Sequence, residues 1–297
     1  MVQFLSDVLI RTVDLALIAV GLSCVYSLIR FPNIALVQYA VAGSFLALLL
    51  QGAGLPLPVA GLLACLLVGG LAVLLNVTVF ERLLASGSAI AMVGSLAVTM
   101  ILSAVFLVVF GPDSRRFDLD SHPVIRVLDA RLTVHQLTAV GLTAGAVIVL
   151  TLLLFRTTLG RSMRATATNR VLAAATGIDA RLITNSVVFL SGVLAALGGI
   201  GLALKGEMNI QLGMDVLLPV FAAAILGGLG NALGAVAGAV IIATAETLVT
   251  NVNLGPLVGE PLLFLPASYA TAMSFLILVA ALLVRPHGLF VSEVKRV

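Results

Sequence analysis

Between Leu217 and Asn251 the chain reads LLPVFAAAILGGLGNALGAVAGAVIIATAETLVTN, apolar enough to sit in hydrocarbon yet broken at its centre by GGLGN. Lipid offers no partner for a free backbone N–H or C=O, so a chain of such segments must span as helices and bury any break against itself. Gly230, Gly234 and Gly238 recur at the four-residue spacing that lets a helix approach a neighbour closely. A carboxylate, Glu246, lies near the far end. A soluble domain can bury one such helix, but not a chain built of them, and the stretch reads as the inner part of a membrane transporter.

Composition supports the class. Of 297 residues, 61% are hydrophobic and 10% charged, with mean hydropathy +1.22, against roughly 25% charged in soluble domains. A net charge of +3 is too small for a nucleic-acid binder. Cys24 and Cys65 lie inside apolar runs and read as buried small hydrophobes rather than a disulfide. His122, His135 and His287 are scattered without metal-ligand spacing. Asp7, Arg11 and Asp14 precede the first apolar run, which therefore reads as a first transmembrane helix rather than a removed signal peptide.

A helical span needs about 20 apolar residues. Candidate spans are 13–30, 34–51, 57–79, 89–110, 134–155, 184–205, 217–229, 233–251 and 267–284. The seventh is too short to cross unaided, and the second starts directly after Arg30-Phe31-Pro32-Asn33. The expected fold is all-α: one polytopic transmembrane domain over 1–297, with about eight or nine transmembrane or half-inserted helices. Basic residues orient it. Loop 156–184 carries five arginines and the tail after 284 carries Arg285, Lys295 and Arg296, whereas 206–216 and 251–266 hold no Lys or Arg. Connection 111–133 holds Arg115, Arg116, Arg126 and Arg131 among four aspartates and rivals 156–184 by basic count. Alternation of the spans sets the two on opposite sides, and the tail breaks the tie: 81–88, 156–184 and the C-terminus are placed in the cytoplasm, and 111–133 outside.

The loop RTTLGRSMRATATNRVLAAATGIDARLIT predicts a short helix of about two turns. Thr168 or Asn169 would cap it and Gly177 would end it. Such a helix either rests on anionic headgroups as an amphipathic connector or protrudes to dock into a partner. Within the spans, Glu246 is either a structural carboxylate or part of a solute path. Gln38 and Asn76 are read first as interhelical glue. Asn33 and Asn231 each sit at a break and open a small-residue helix, NIALVQYAVAG and NALGAVAG. Interrupted segments in corresponding halves point to a substrate path, although similar Ala-rich helices also arise by chance. The glycine row, with Gly228, is either close packing or a pore wall. Gly198, Gly199 and Gly201, and Gly141 with Gly145, suggest further tight packing.

No phosphate-binding Gly-rich loop, Ser-His-Asp pattern or His-Glu-x-x-His occurs. The chain is expected to be no enzyme and to need no cofactor or metal. Ion-coupled carriers usually show several intramembrane charges, and Glu246 stands almost alone by this reading. That favours an external motor.

The run RSMRATATNRVLAAATGIDARLIT resembles the cytoplasmic segment of branched-chain amino acid ABC transporter permeases. AAAILGGLGNALGAVAGAVIIATAE is similar to that family's glycine-rich helix pair, down to the Glu, and VRPHGLF to its Arg-Pro-x-Gly-Leu ending. One departure stands out. Where the family's first broken segment typically reads Asn-Phe-Ala-His-Gly-Glu, this chain has Asn33-Ile34-Ala35-Leu36-Val37-Gln38.

The resemblance implies a multi-pass permease subunit of the bacterial inner membrane that imports a small polar solute. Its partners would be a second, homologous permease, two cytoplasmic ATP-binding subunits and a periplasmic or lipid-anchored binding protein. Arg161, Arg164, Asn169, Leu172, Ala173, Gly177 and Ile178 would form the ATPase-coupling segment. Asn33, Gln38, Gly228, Gly230, Asn231, Gly234, Gly238 and Glu246 would line the path or pack its helices. The solute would be a branched-chain amino acid or, given the changed Val37-Gln38 pair, urea, another amide or a hydrophobic carboxylate. The rival reading is an ion-coupled carrier working alone.

Overall fold

The computed structural model describes residues 2–117, 125–127, 130–251, 266, 268–284 and 288–289. Its helices are α1 (Val2–Ile29), α2 (Leu36–Gly52), α3 (Leu57–Leu75), α4 (Glu81–Ala85), α5 (Ser88–Phe110) and α6 (Val134–Arg156). They continue as α7 (Thr158–Thr168), α8 (Arg170–Ala175), α9 (Ala180–Ala203), α10 (Leu212–Gly227), α11 (Ala232–Asn251) and α12 (Ser268–Val284). A π-helical turn, Asn76–Phe80, joins α3 to α4 without interrupting the rod. An antiparallel ribbon, β1 (Ile125–Val127) with β2 (Ala130–Leu132), lies in the 111–133 connection and pairs Arg126 with Arg131.

Among the described residues six helices are long and apolar enough to cross a membrane: α1, α3 continued through α4, α5, α6, α9 and α11. The apolar helices α2, α10 and α12 are shorter. The protein is thus an all-α polytopic membrane protein, and nine apolar helices meet the expectation of eight or nine passes. Two boundaries differ from the sequence reading. Helix α1 begins at Val2, ahead of the expected start at 13, so Asp7 and Arg11 lie on the same helix as Asp14. Helix α10 begins at Leu212 and carries Pro219 inside it.

Helices α1 and α9 form the centre. Helix α1 packs chiefly on α9 and α11, and α9 also packs on α2 and α3. Small residues set these distances. A Cβ built on Gly199 would lie 1.9 Å from the Ala40 carbonyl oxygen, and one on Gly43 would lie 2.5 Å from the Ala196 Cα. Helices α10 and α11 fold back on each other as closely: a Cβ on Gly234 or Gly238 would fall 2.1 Å from the Gly227 carbonyl oxygen or 2.0 Å from that of Ala223. The glycine row is therefore split. Gly234 and Gly238 are packing residues on α11, while Gly230, at φ +94°, belongs to the turn before it. Gly141, Gly145 and Gly201 face open space, so the tight packing expected there is absent.

Leu67, Val93, Val108, Val149 and Leu283 lie exposed on α3, α5, α6 and α12, forming an outward apolar surface suited to lipid. Cys24 and Cys65 are buried free thiols, as their apolar surroundings predict. The chain has two polar ends. One carries α7, α8, α4, the C-terminus of α1 and the start of α9. The other carries 111–117 and 204–211, joined by paired backbone hydrogen bonds between Arg115 and Met208 (2.9 and 2.8 Å).

Candidate functional site

The 156–184 connection folds as two helices where the sequence predicts one. Thr157 caps α7, accepting from the Gly160 N–H, and Gly160 allows the chain to turn against α6: a Cβ there would lie 2.0 Å from the Leu154 carbonyl oxygen. Met163 and Thr166 face inward with Gly160. Helix α8 is the predicted short helix. The Asn169 side chain accepts from the Leu172 N–H at 3.0 Å. At the other end, Ile178 N–H reaches the Ala173 carbonyl (3.1 Å) and Gly177 N–H that of Ala174 (3.0 Å). With Gly177 at φ +84°, this is the paired 6→1 and 5→2 closure that a left-handed glycine permits.

The expected coupling residues divide by direction. Val171 and Leu172 point outward, 81% and 63% exposed, an unusual position for large apolar side chains on a polar end. Ala173 is buried and anchors α8 from beneath. Arg161 is exposed. Arg164 is turned back into the chain, donating to the Leu154 carbonyl and lying over the Phe155 ring at 5.6 Å. The segment is held to the helices around it. Arg30 Nη2 donates to the Ala167 carbonyl at 2.8 Å, and Arg181 pairs with Glu81 through two nitrogens (2.9 and 3.3 Å). Beside this pair lies a cleft of about 370 Å³ lined by Asn76, Phe80, Glu81, Arg170 and Arg181.

Each break is held by an asparagine side chain. Asn33 Oδ1 accepts from the Ala35 N–H (3.1 Å) ahead of α2, and Asn231 Oδ1 accepts from the Gly234 N–H (3.0 Å) ahead of α11. The first break is also held by α5, whose Ser95 Oγ accepts from the Ile34 N–H at 3.1 Å. Gln38, fully buried, donates to Ser103 Oγ on α5 at 2.8 Å, and Asn76 donates to Asn185 at 2.8 Å. Both side chains bridge neighbouring helices. The second break receives the C-terminal residues: Leu289 N–H donates to the Leu226 carbonyl (2.8 Å), and Gly288 lies so close to Gly228 that a Cβ would come within 2.5 Å. Two motifs more than fifty positions apart in sequence are thus one structural unit. Arg285, Pro286, His287, Lys295 and Arg296 lie outside the described residues.

At the opposite end Glu246 has company that the sequence reading denied it. It is 2% exposed and pairs with Arg11 Nε at 2.6 Å, and Ser274 donates to its other oxygen. A turn further along α1, Asp14 pairs with Lys205, whose Nζ also donates to the Ile10 carbonyl at 3.2 Å. Four charges thus tie α1 to α11, α12 and the end of α9. Lys205 and Asp14 are 191 positions apart, so no local pattern announces their pairing. As each charge is matched, the group leaves no free carboxylate in the pairs themselves for a coupling ion. A different signal was available for α7: Thr157 followed by Gly160, Met163 and Thr166 on one face.

The family described as "Branched-chain amino acid transport system / permease component" matches residues 4–282. A Methanocaldococcus jannaschii protein, the probable branched-chain amino acid transport permease protein LivH, is 29% identical, covering 97% of this chain and 91% of that one. Escherichia coli LivH, a high-affinity branched-chain amino acid transport system permease protein, is also 29% identical, over 54% of this chain and 48% of its own. Among solved structures, PsaBC from Streptococcus pneumoniae in complex with a Fab contains a chain of similar fold, with TM-score 0.51 and 15% identity. The match covers 96% of this chain and 92% of that one.

Proposed function

Because the chain belongs to the family of permease components of branched-chain amino acid transport systems, we propose that it forms half of the passage in an ATP-driven importer of branched-chain amino acids. A second, homologous permease supplies the other half, two ATP-binding subunits seat on the α7–α8 end, and a binding protein delivers solute to the opposite end. Closure of the ATPases is passed on through 161–178, with Val171 and Leu172 as the apolar contact. The passage itself is assigned to the two asparagine-held breaks and Gln38, with Glu246 holding its outer frame. The plasma membrane of a prokaryote is the expected location.

The observation that carries this reading is α8: a short helix with a defined cap, a defined stop and two large apolar side chains presented to solvent. Such a surface fits a protein groove: the exposed Val171 and Leu172 give it an apolar contact, with Arg170 exposed beside them. Arg164→Glu and Gly177→Val test it in vesicles containing the assembled transporter. Arg164→Glu loses the bond to Leu154 and Gly177→Val strains the helix stop. Both variants should fold and hydrolyse ATP but lose most leucine uptake. Normal uptake in both would refute the coupling role. Leucine accumulation by this chain alone, under a proton or sodium gradient without ATPase, would favour the carrier instead.

A further inference from the structure

One contact links the α7–α8 end to the first break directly. Arg30 follows the last residue of α1, and its N–H closes that helix on the Tyr26 carbonyl at 3.0 Å. Its backbone has φ +61°, the only positive φ outside glycine among the described residues. That conformation is disfavoured by about 1–2 kcal/mol for a residue bearing a Cβ, and it persists only where the surroundings impose it. Here it aims the guanidinium at the Ala167 carbonyl in the last turn of α7, the end of a helix where carbonyls lack partners and a cation is favoured.

On the other side of Arg30 the chain is rigid. Phe31 is 1% exposed and packs on Phe80, with ring centroids 5.8 Å apart, at the end of the π-helical turn. Pro32 fixes its own φ, and the Asn33 side chain closes the turn ahead of α2 by accepting from the Ala35 N–H. A displacement of α7 thus reaches the start of α2 through one side chain and three residues with little freedom to absorb it.

We propose that Arg30 is a positioning residue, which transmits movement of α7 and α8 to the joint between α1 and α2 and so holds or releases the Asn33–Gln38 start of α2. The proposal rests on the importer reading, since it assumes that force arrives at α7 and α8. A purely structural role fits poorly. The bond is exposed, where such contacts add little stability, and the left-handed backbone works against it.

Arg30→Gly separates the two roles, because it removes the bond and relieves the backbone together. The assembled transporter, with its ATP-binding subunits and binding protein, is placed in vesicles; ATP hydrolysis, labelled leucine uptake and the melting midpoint are measured in parallel. Arg30→Gly should melt at or above the wild type and hydrolyse ATP at a similar rate, yet import roughly tenfold less leucine per ATP, within the usual range of coupling between sites. Arg30→Lys, which keeps a charged donor, should recover most of that ratio. An unchanged ratio in Arg30→Gly, or a proportional loss of hydrolysis and uptake, overturns the proposal. Should Arg30→Gly fail to assemble, Arg30→Asn gives the same readout, since Asn tolerates the left-handed backbone. A wild-type assembly that neither hydrolyses ATP nor imports leucine would overturn the importer reading, and Arg30's role with it.

Discussion

At Glu246 the question is what happens when one member of a matched set is removed. Arg11→Ala leaves a carboxylate that is 2% exposed with, among the described residues, the Ser274 hydroxyl as its side-chain partner. An unmatched buried charge typically costs about 3–5 kcal/mol, so this variant should show a clearly lowered melting midpoint. Glu246→Gln keeps an acceptor for Ser274 and buries no charge of its own, and Arg11 can turn its partly exposed head toward water. Its loss should be smaller, about 1–2 kcal/mol, with only a modest fall in uptake. The double variant Arg11→Met with Glu246→Leu should recover much of the stability lost in Arg11→Ala, because apolar pairs often replace buried ion pairs at little cost. Thermal unfolding in detergent ranks the three. If Glu246→Gln proves as damaging to uptake as Arg11→Ala is to stability, while still folding normally, the carboxylate lines the path rather than framing it.

Between elements, stability is decided by how closely backbones approach. Helices α2 and α9 meet where Gly199 faces the Ala40 carbonyl, with no room for a methyl group. Gly199→Ala must push them apart, a change that costs about 1–3 kcal/mol or more in packed interiors. Gly141 on α6 faces open space, so Gly141→Ala should raise the melting midpoint, by about 0.5–1 kcal/mol of helix preference. Equal effects at the two glycines would contradict the packing described. The sequence announces much of this level. Asn231 marks a helix start, Asn33 the turn ahead of one, and Gly177 a stop, because each is a local arrangement of a few residues. It fails where the cause is distant. The π-helical turn has no Pro or Gly to announce it, and its two ends are held by Phe31 and Asn185 from elsewhere in the chain. Helix α7 is set by another cause: Gly160 is required by the close approach to Leu154.

Across the whole molecule the two ends differ, and the proposed direction of transport requires a particular one of them to face the cytoplasm. The α7–α8 end is rich in arginine and presents apolar side chains on α8, while the opposite end is clamped by two matched ion pairs and by the Arg115–Met208 bridge. An importer driven by cytoplasmic ATPases requires the first end inside. The chain lends itself to a direct measurement, since Cys24 and Cys65 are buried and should not react with a membrane-impermeant maleimide. Single cysteines are then placed at Asp113, exposed beside the Arg115 bridge, and at Ala175, exposed at the end of α8. In intact cells the reagent should label Asp113→Cys and spare Ala175→Cys until the membrane is permeabilised. The reverse pattern would put α8 out of reach of any ATP-binding subunit, and neither the coupling segment nor the role of Arg30 would survive it.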